Sequence, residues 1–171
     1  MKILIAVSGL PGTGKSTLSL RLAARLQLTL LELDRLEAPL LRQGITGDQI
    51  AWGGYEMLTA LADLNLGMGL GVVLDSVAWT NAIRERWAAL AESHGAPFLP
   101  IEMTCTDSAG RLDRLRTRWP SLSTAQLEER IGQEHARYEA WEMPSLTLDS
   151  TISLDELLDL ALAAAATADR R

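Results

Sequence analysis

Residues 9–17 read GLPGTGKST, and no other stretch of the 171-residue chain restricts its fold so tightly. The pattern is glycine, four residues, glycine, lysine and a hydroxyl, met by Gly9, Gly14, Lys15 and Ser16. Glycines at 9, 12 and 14 let backbone N–H groups curl around an anion. A helix starting at the end of the loop turns its positive end to the same anion. Lys15 can then bridge the outer phosphates of a nucleoside triphosphate, while the Ser16 hydroxyl holds Mg²⁺. A turn that merely joins a strand to a helix requires neither the lysine nor the hydroxyl. The segment therefore predicts triphosphate and magnesium binding through Gly9, Pro11, Gly12, Thr13, Gly14, Lys15, Ser16 and Thr17.

Such a loop must lie between a strand and a helix, and the chain supplies both. KILIAV at 2–7 is apolar without alternation, as in a strand buried on both faces. It is too short, and too soon followed by glycine, for a secretory leader. Leu18, Leu22 and Leu26 recur at helical spacing over 15–27. Further strands are expected at 28–33, 70–74, 98–104 and 146–148, with Pro100 delaying the start of the fourth strand. Helices are expected at 35–43, 48–66, 81–93, 108–118 and 123–142, and from Ser153 onward. Gly53-Gly54 weakens the helix at 48–66, Gly95 closes the one at 81–93, and Ser123 with Gln126 offers a capped start.

Strands alternating with helices predict an α/β fold, a three-layer sandwich around a five-stranded parallel sheet. No repeat or linker interrupts it, so residues 1–171 are read as one domain. Ligands of such sheets bind beyond the carboxyl ends of the strands. The Gly9 loop, Asp34 and Asp75 all follow expected strands and should converge there.

Composition removes several function classes. The net charge is −6 and the pI about 4.9, which disfavours a dedicated duplex-nucleic-acid binder. No window reaches the roughly 18 apolar residues of a membrane span. The single cysteine, Cys105, forms no internal disulfide, and a reducing cytoplasmic setting fits. We read Cys105 as a small buried side chain rather than a nucleophile.

Other residues could choose the reaction. Asp34, at the end of a strand, is placed to accept a hydroxyl proton while that oxygen attacks a γ-phosphate; the alternatives are a helix cap or a surface pair. Asp75 closes LGVVLD at the Walker B position, where a carboxylate holds magnesium, though spacing alone leaves a substrate role open. Arg111, Arg114 and Arg118 share a helix face, and Arg114 and Arg118 are the candidates to close over the phosphates. Trp52 and Tyr55 either line an acceptor pocket or pack in the core. Trp79, Trp87, Trp119 and Trp141 read as packing residues. His94 and His135 have no Cys/His partner pattern that would mark a metal site.

The order of these pieces resembles the small P-loop kinases, especially the group with 5′-polynucleotide kinase domains and chloramphenicol phosphotransferase. The matching segments are GLPGTGKST, LELDR at 31–35, GLGVVLDSVAWTNAIRERW at 69–87, RLDRLRTR at 111–118 and LTLDST at 146–151. The resemblance implies an ATP-dependent phosphotransferase using ATP and Mg²⁺ and moving the γ-phosphate to a hydroxyl of a small-molecule or nucleotide-like acceptor. It further implies that Asp34 is the general base and that Arg35 orients the acceptor. Arg114 and Arg118 would belong to a helical lid at about 107–122, stiffened by Trp119-Pro120, and the loop at 149–151 would lie near the nucleobase. Two other readings stand beside it. One is a 5′-hydroxyl polynucleotide kinase, against which the acidic balance weighs. The other is a non-catalytic nucleotide-binding switch, against which the lack of an N-K-x-D base-reading motif weighs.

Overall fold

Five strands form one parallel sheet in the computed structural model, which describes residues 1–50 and 52–170. They are β1 (Leu4–Ser8), β2 (Thr29–Glu32), β3 (Val72–Asp75), β4 (Phe98–Thr104) and β5 (Leu146–Asp149), ordered β2-β3-β1-β4-β5 across the sheet. Between them run α1 (Lys15–Leu26), α2 (Leu33–Arg42), α3 (Gly47–Ile50), α4 (Gly53–Gly67), α5 (Asn81–Ser93), α6 (Ser108–Arg118), α7 (Thr124–Arg137) and α8 (Leu154–Ala168). Every residue of β1 is buried, as its unalternating apolar run requires. Ile5 and Val7 pack with Leu18, Leu22, Leu157 and Ala161 of α1 and α8. Leu4 and Ala6, on the opposite face, pack with Leu58, Ala62, Ile83 and Trp87 of α4 and α5. The result is the expected three-layer α/β sandwich. Among the described residues no helix is long and apolar enough to cross a membrane.

Where the elements differ from expectation, packing supplies the reason. The helix expected at 48–66 is two helices, α3 and α4, and Ala51 between them lies outside the described residues. Gly54 lies where α4 meets α2; a Cβ there would sit 2.2 Å from the end of the Glu37 side chain and 3.0 Å from Leu33 Cδ1, so those side chains would have to shift. The helix expected at 35–43 starts earlier, at Leu33, so Asp34 stands in its first turn. Pro100 does not delay β4, which begins at Phe98. Leu4 N–H donates to Pro97 O and Ser150 N–H to Thr104 O, so even-numbered β4 residues turn toward β5. That strand pairs only from Ile101 onward, and the missing proline N–H deprives no partner. Ser123 caps α7 with the reciprocal Gln126 bond expected of it. α7 nevertheless stops at Arg137 rather than near 142, because the segment after it turns extended at Tyr138 and bonds to the start of α5.

Candidate active site

The glycine loop leaves β1 and enters α1 with three residues at positive φ: Gly9 at 143°, Gly12 at 81° and Gly14 at 88°. A Cβ on Gly9 would meet Met103 O at 2.3 Å, and one on Gly12 would lie 3.0 Å from the Leu115 side chain. The loop is thus held between β4 and α6, where only glycine fits. Thr13 fixes its curl, its N–H and hydroxyl both donating to Leu10 O, at 3.3 and 2.8 Å. Gly14 caps α1 without a side chain, leaving the first-turn N–H groups for an anion.

Lys15, only 6 % exposed, has its pKa lowered by burial, against which Asp75 and then Asp34 act. Asp75 is buried at the end of β3; burial raises its carboxyl, and Lys15 and then Ser16 pull it back. Asp75 Oδ1 has no hydrogen-bond partner, nor do the neighbouring buried hydroxyls of Ser8 and Ser76. An orphaned carboxylate oxygen beside an exposed Ser16 hydroxyl has the donor set that a hydrated Mg²⁺ takes. The residues fit the ion, and Asp75 is not among the residues that line the neighbouring cleft.

That cleft, of about 560 Å³, opens between the glycine loop, α2, α4 and the α6–α7 cover. Lys15, Asp34, Trp52, Tyr55 and Arg118 all line it. Asp34 and Arg118 are joined directly by an ion pair, with the carboxylate in the first turn of α2, where the helix end favours negative charge. Trp52 is exposed and Tyr55 buried, their rings 5.8 Å apart. Arg35 is not brought in: it is exposed and pairs with Glu32 at 2.8 Å. Arg114 lies on the other side of the loop, donating to Ser150 Oγ at 3.2 Å and to Cys105 Sγ at 2.9 Å. A Cβ on Gly14 would lie 3.5 Å from Ser150 and 3.7 Å from Arg114, so the 149–151 loop and Arg114 of α6 meet the last loop glycine together. Cys105 is half-buried in the loop after β4, not sealed in the core.

Several cleft residues gave no sequence signal. Trp79 and Trp119, expected only to pack, line the cleft with Glu37, Arg130 and Arg137. Arg130 stacks on Trp119 at 4.1 Å and Arg137 on Trp79 at 5.5 Å. The residues covering the cleft therefore include some from α7 as well as α6. Arg111 acts differently from its neighbours. Buried, it donates to Pro11 O at 2.9 Å and to His135 Nε2 at 2.8 Å, with Glu134 3.8 Å away, and so ties α6 to the glycine loop. Ala78, at φ 51°, holds a left-handed turn that Arg84 braces by donating to its carbonyl at 3.0 Å.

A family model described as an AAA domain matches residues 4–153. No curated protein matched the chain. A protein provisionally named a kinase from Chloroflexus aurantiacus is similar in structure, with a TM-score of 0.76, 23 % identity and 97 % of each chain covered. A sugar kinase from Janibacter sp. HTCC2649 gives 0.72 at 18 % identity, covering 99 % of this chain and 98 % of its own. The APS kinase of Mycobacterium tuberculosis, solved with AMPPNP and APS, gives 0.72 at 17 % identity over 95 % and 96 %. At such identities the likeness is one of fold.

Proposed function

The chain belongs to this AAA domain family, and from that premise we propose that it is a single-domain, cytoplasmic, ATP-dependent phosphotransferase whose acceptor is a hydroxyl on a small or nucleotide-like molecule. One observation carries the reading: the phosphate-loop lysine, a helix-borne carboxylate and a lid arginine line one cleft. The acceptor hydroxyl binds at Asp34, which takes its proton as the oxygen attacks the γ-phosphorus. The bond to the ADP oxygen breaks, and Lys15 and the loop N–H groups hold the charge passing to ADP. Mg²⁺, held by Ser16 and Asp75, would neutralise charge between the β- and γ-phosphates. Arg118 pairs with Asp34 through Oδ2 alone, which leaves Oδ1 to take the proton of the acceptor hydroxyl, and Arg118 stands next to the oxygen that would attack, within reach of the transferring phosphate. Arg114 reaches the triphosphate from the other side of the loop.

Asp34→Asn tests this directly. Transfer should fall by about 10²–10⁴-fold, while ATP affinity stays nearly unchanged by calorimetric titration. An equal loss of ATP binding would remove Asp34 from the acceptor side.

A further inference from the structure

Phosphoryl transfer leaves a second cavity unused. It has a volume of about 380 Å³ and lies between the glycine loop, the end of β4, α6 and α7. Among the described residues none lines both this cavity and the acceptor cleft. The glycine loop divides between them: Leu10 and Thr13 line the cavity, Pro11 and Lys15 the cleft. Leu10, Met103, Ile131 and Tyr138 give the cavity apolar surface, and its volume is that of a small-molecule site, about 300–1,000 Å³.

One charge in that wall has no counterpart. Glu102 is half-buried on β4. Its Oε1 accepts from the Tyr138 hydroxyl at 3.1 Å, and that hydroxyl accepts from Trp141 Nε1 at 2.8 Å. Among the described residues no lysine, arginine or histidine pairs with Glu102. Arg111, which shares the wall, is already met by Glu134 at 3.8 Å and donates to Pro11 O and His135. His135 adds no charge near neutral pH, since burial and then the Arg111 charge lower its pKa. A carboxylate beside apolar surface is satisfied best by a cation that donates hydrogen bonds to it. We propose that this cavity is a second ligand site for a small primary amine on an apolar body. The ammonium donates to Glu102, and the body packs on Leu10, Met103, Ile131 and Tyr138. The cavity exists with the glycine loop curled, its glycines at positive φ and Thr13 bonded to Leu10 O. An amine packed on Leu10 favours that curl from one side and a triphosphate favours it from the other, so each tightens the other's binding. The inference goes beyond the phosphotransferase reading and requires only nucleotide binding.

The test titrates the whole chain calorimetrically with phenethylamine, tryptamine and isoamylamine. Each is run beside the alcohol and the carboxylate of the same skeleton, with and without Mg²⁺ and a non-hydrolysable ATP analogue. At least one amine should bind about tenfold or more tighter than its alcohol. Its affinity should rise about fivefold or more when the analogue is bound, and the analogue's affinity should rise by the same factor when the amine is bound. Glu102→Gln, which keeps an acceptor for Tyr138, should erase the preference for the amine and bind the analogue alone as the wild type does. Ile131→Trp, which fills the cavity, should remove amine and alcohol binding alike. Asp34→Asn should leave amine binding unchanged, since the acceptor cleft takes no part in it. Amine binding that survives both Glu102→Gln and Ile131→Trp, or that Asp34→Asn removes, would put the amine elsewhere and overturn the inference. So would amines that bind no tighter than their alcohols or carboxylates, or that leave the analogue's affinity unchanged. Failure of label transfer to every acceptor would sink the phosphotransferase reading and leave this site standing.

Discussion

At the residue scale, Lys15 is held buried with its pKa lowered by burial, and its nearest favourable charges, Asp75 and Asp34, pair with it by no direct salt bridge. A buried cation in that state is kept for a ligand rather than for stability. Lys15→Met should therefore hold or raise the melting temperature while nucleotide binding is lost, both read by thermal shift with and without ATP. Asp75 behaves in the same way with the opposite charge. Burial raises its carboxyl above the ordinary 3.8, so the fold favours its protonated form, and its contribution to stability falls as pH rises through the folded value. Magnesium needs the ionised form. Asp75→Asn should leave stability equal or higher and raise the Mg²⁺ concentration needed for ATP binding, measured by titration; an unchanged Mg²⁺ requirement would contradict its role. Lys15 was legible because the spacing of the glycine loop announces it, and Asp75 was legible as a strand-end carboxylate, with its role left open between magnesium and substrate. Glu37 was not, since its place in the cleft follows from how α2 packs beside α4, a long-range fact without local signature.

At the element scale, the cover is anchored rather than hinged freely. Arg111 bonds the glycine loop and His135. Burial, then the Arg111 charge, lowers the His135 pKa below its ordinary 6.5, and Glu134 opposes them. A depressed histidine gives its full stability above 6.5, and that stability is lost as pH falls through the folded value. Hydrogen-exchange protection of α6 and α7 should drop from about pH 7 to about pH 5, and His135→Gln, which keeps an acceptor without titrating, should flatten that drop. The other anchor is Arg84, fully buried in α5. It donates to Ala78 O, Ala140 O and Glu139 O and is sandwiched by Tyr138 and Trp141 at 4.8 and 4.4 Å. Arg84→Met should lower the unfolding free energy by about 1–3 kcal/mol for each carbonyl left unpaired away from water, read from the denaturant midpoint. The sequence showed where α7 starts, because Ser123 and Gln126 carry the signal locally. Its end and its two cleft arginines depend on what the helix lies against, which no local pattern carries.

At the scale of the whole molecule, the alternation of strands and helices was enough to foresee the parallel sheet, and GLPGTGKST was enough to foresee the site at its carboxyl edge. What alternation cannot convey is which side chains meet across that edge. Asp34 and Arg118, 84 residues apart in sequence, are paired, while Arg35, adjacent to Asp34, points away to Glu32. The tryptophans divide likewise: Trp87 is core, at 1 % exposed, whereas Trp79 and Trp119 face the cleft. The most direct test is to incubate the protein with γ-labelled ATP, Mg²⁺ and pooled acceptors, namely nucleosides, sugars, aminoglycosides, chloramphenicol and 5′-hydroxyl oligonucleotides, with Lys15→Ala beside it. Label moving to one pool, and absent in the variant, is the expected result. Label remaining in ATP across every pool, with ATP binding demonstrated and lost in Lys15→Ala, would contradict a phosphotransferase and leave a nucleotide-binding switch in its place.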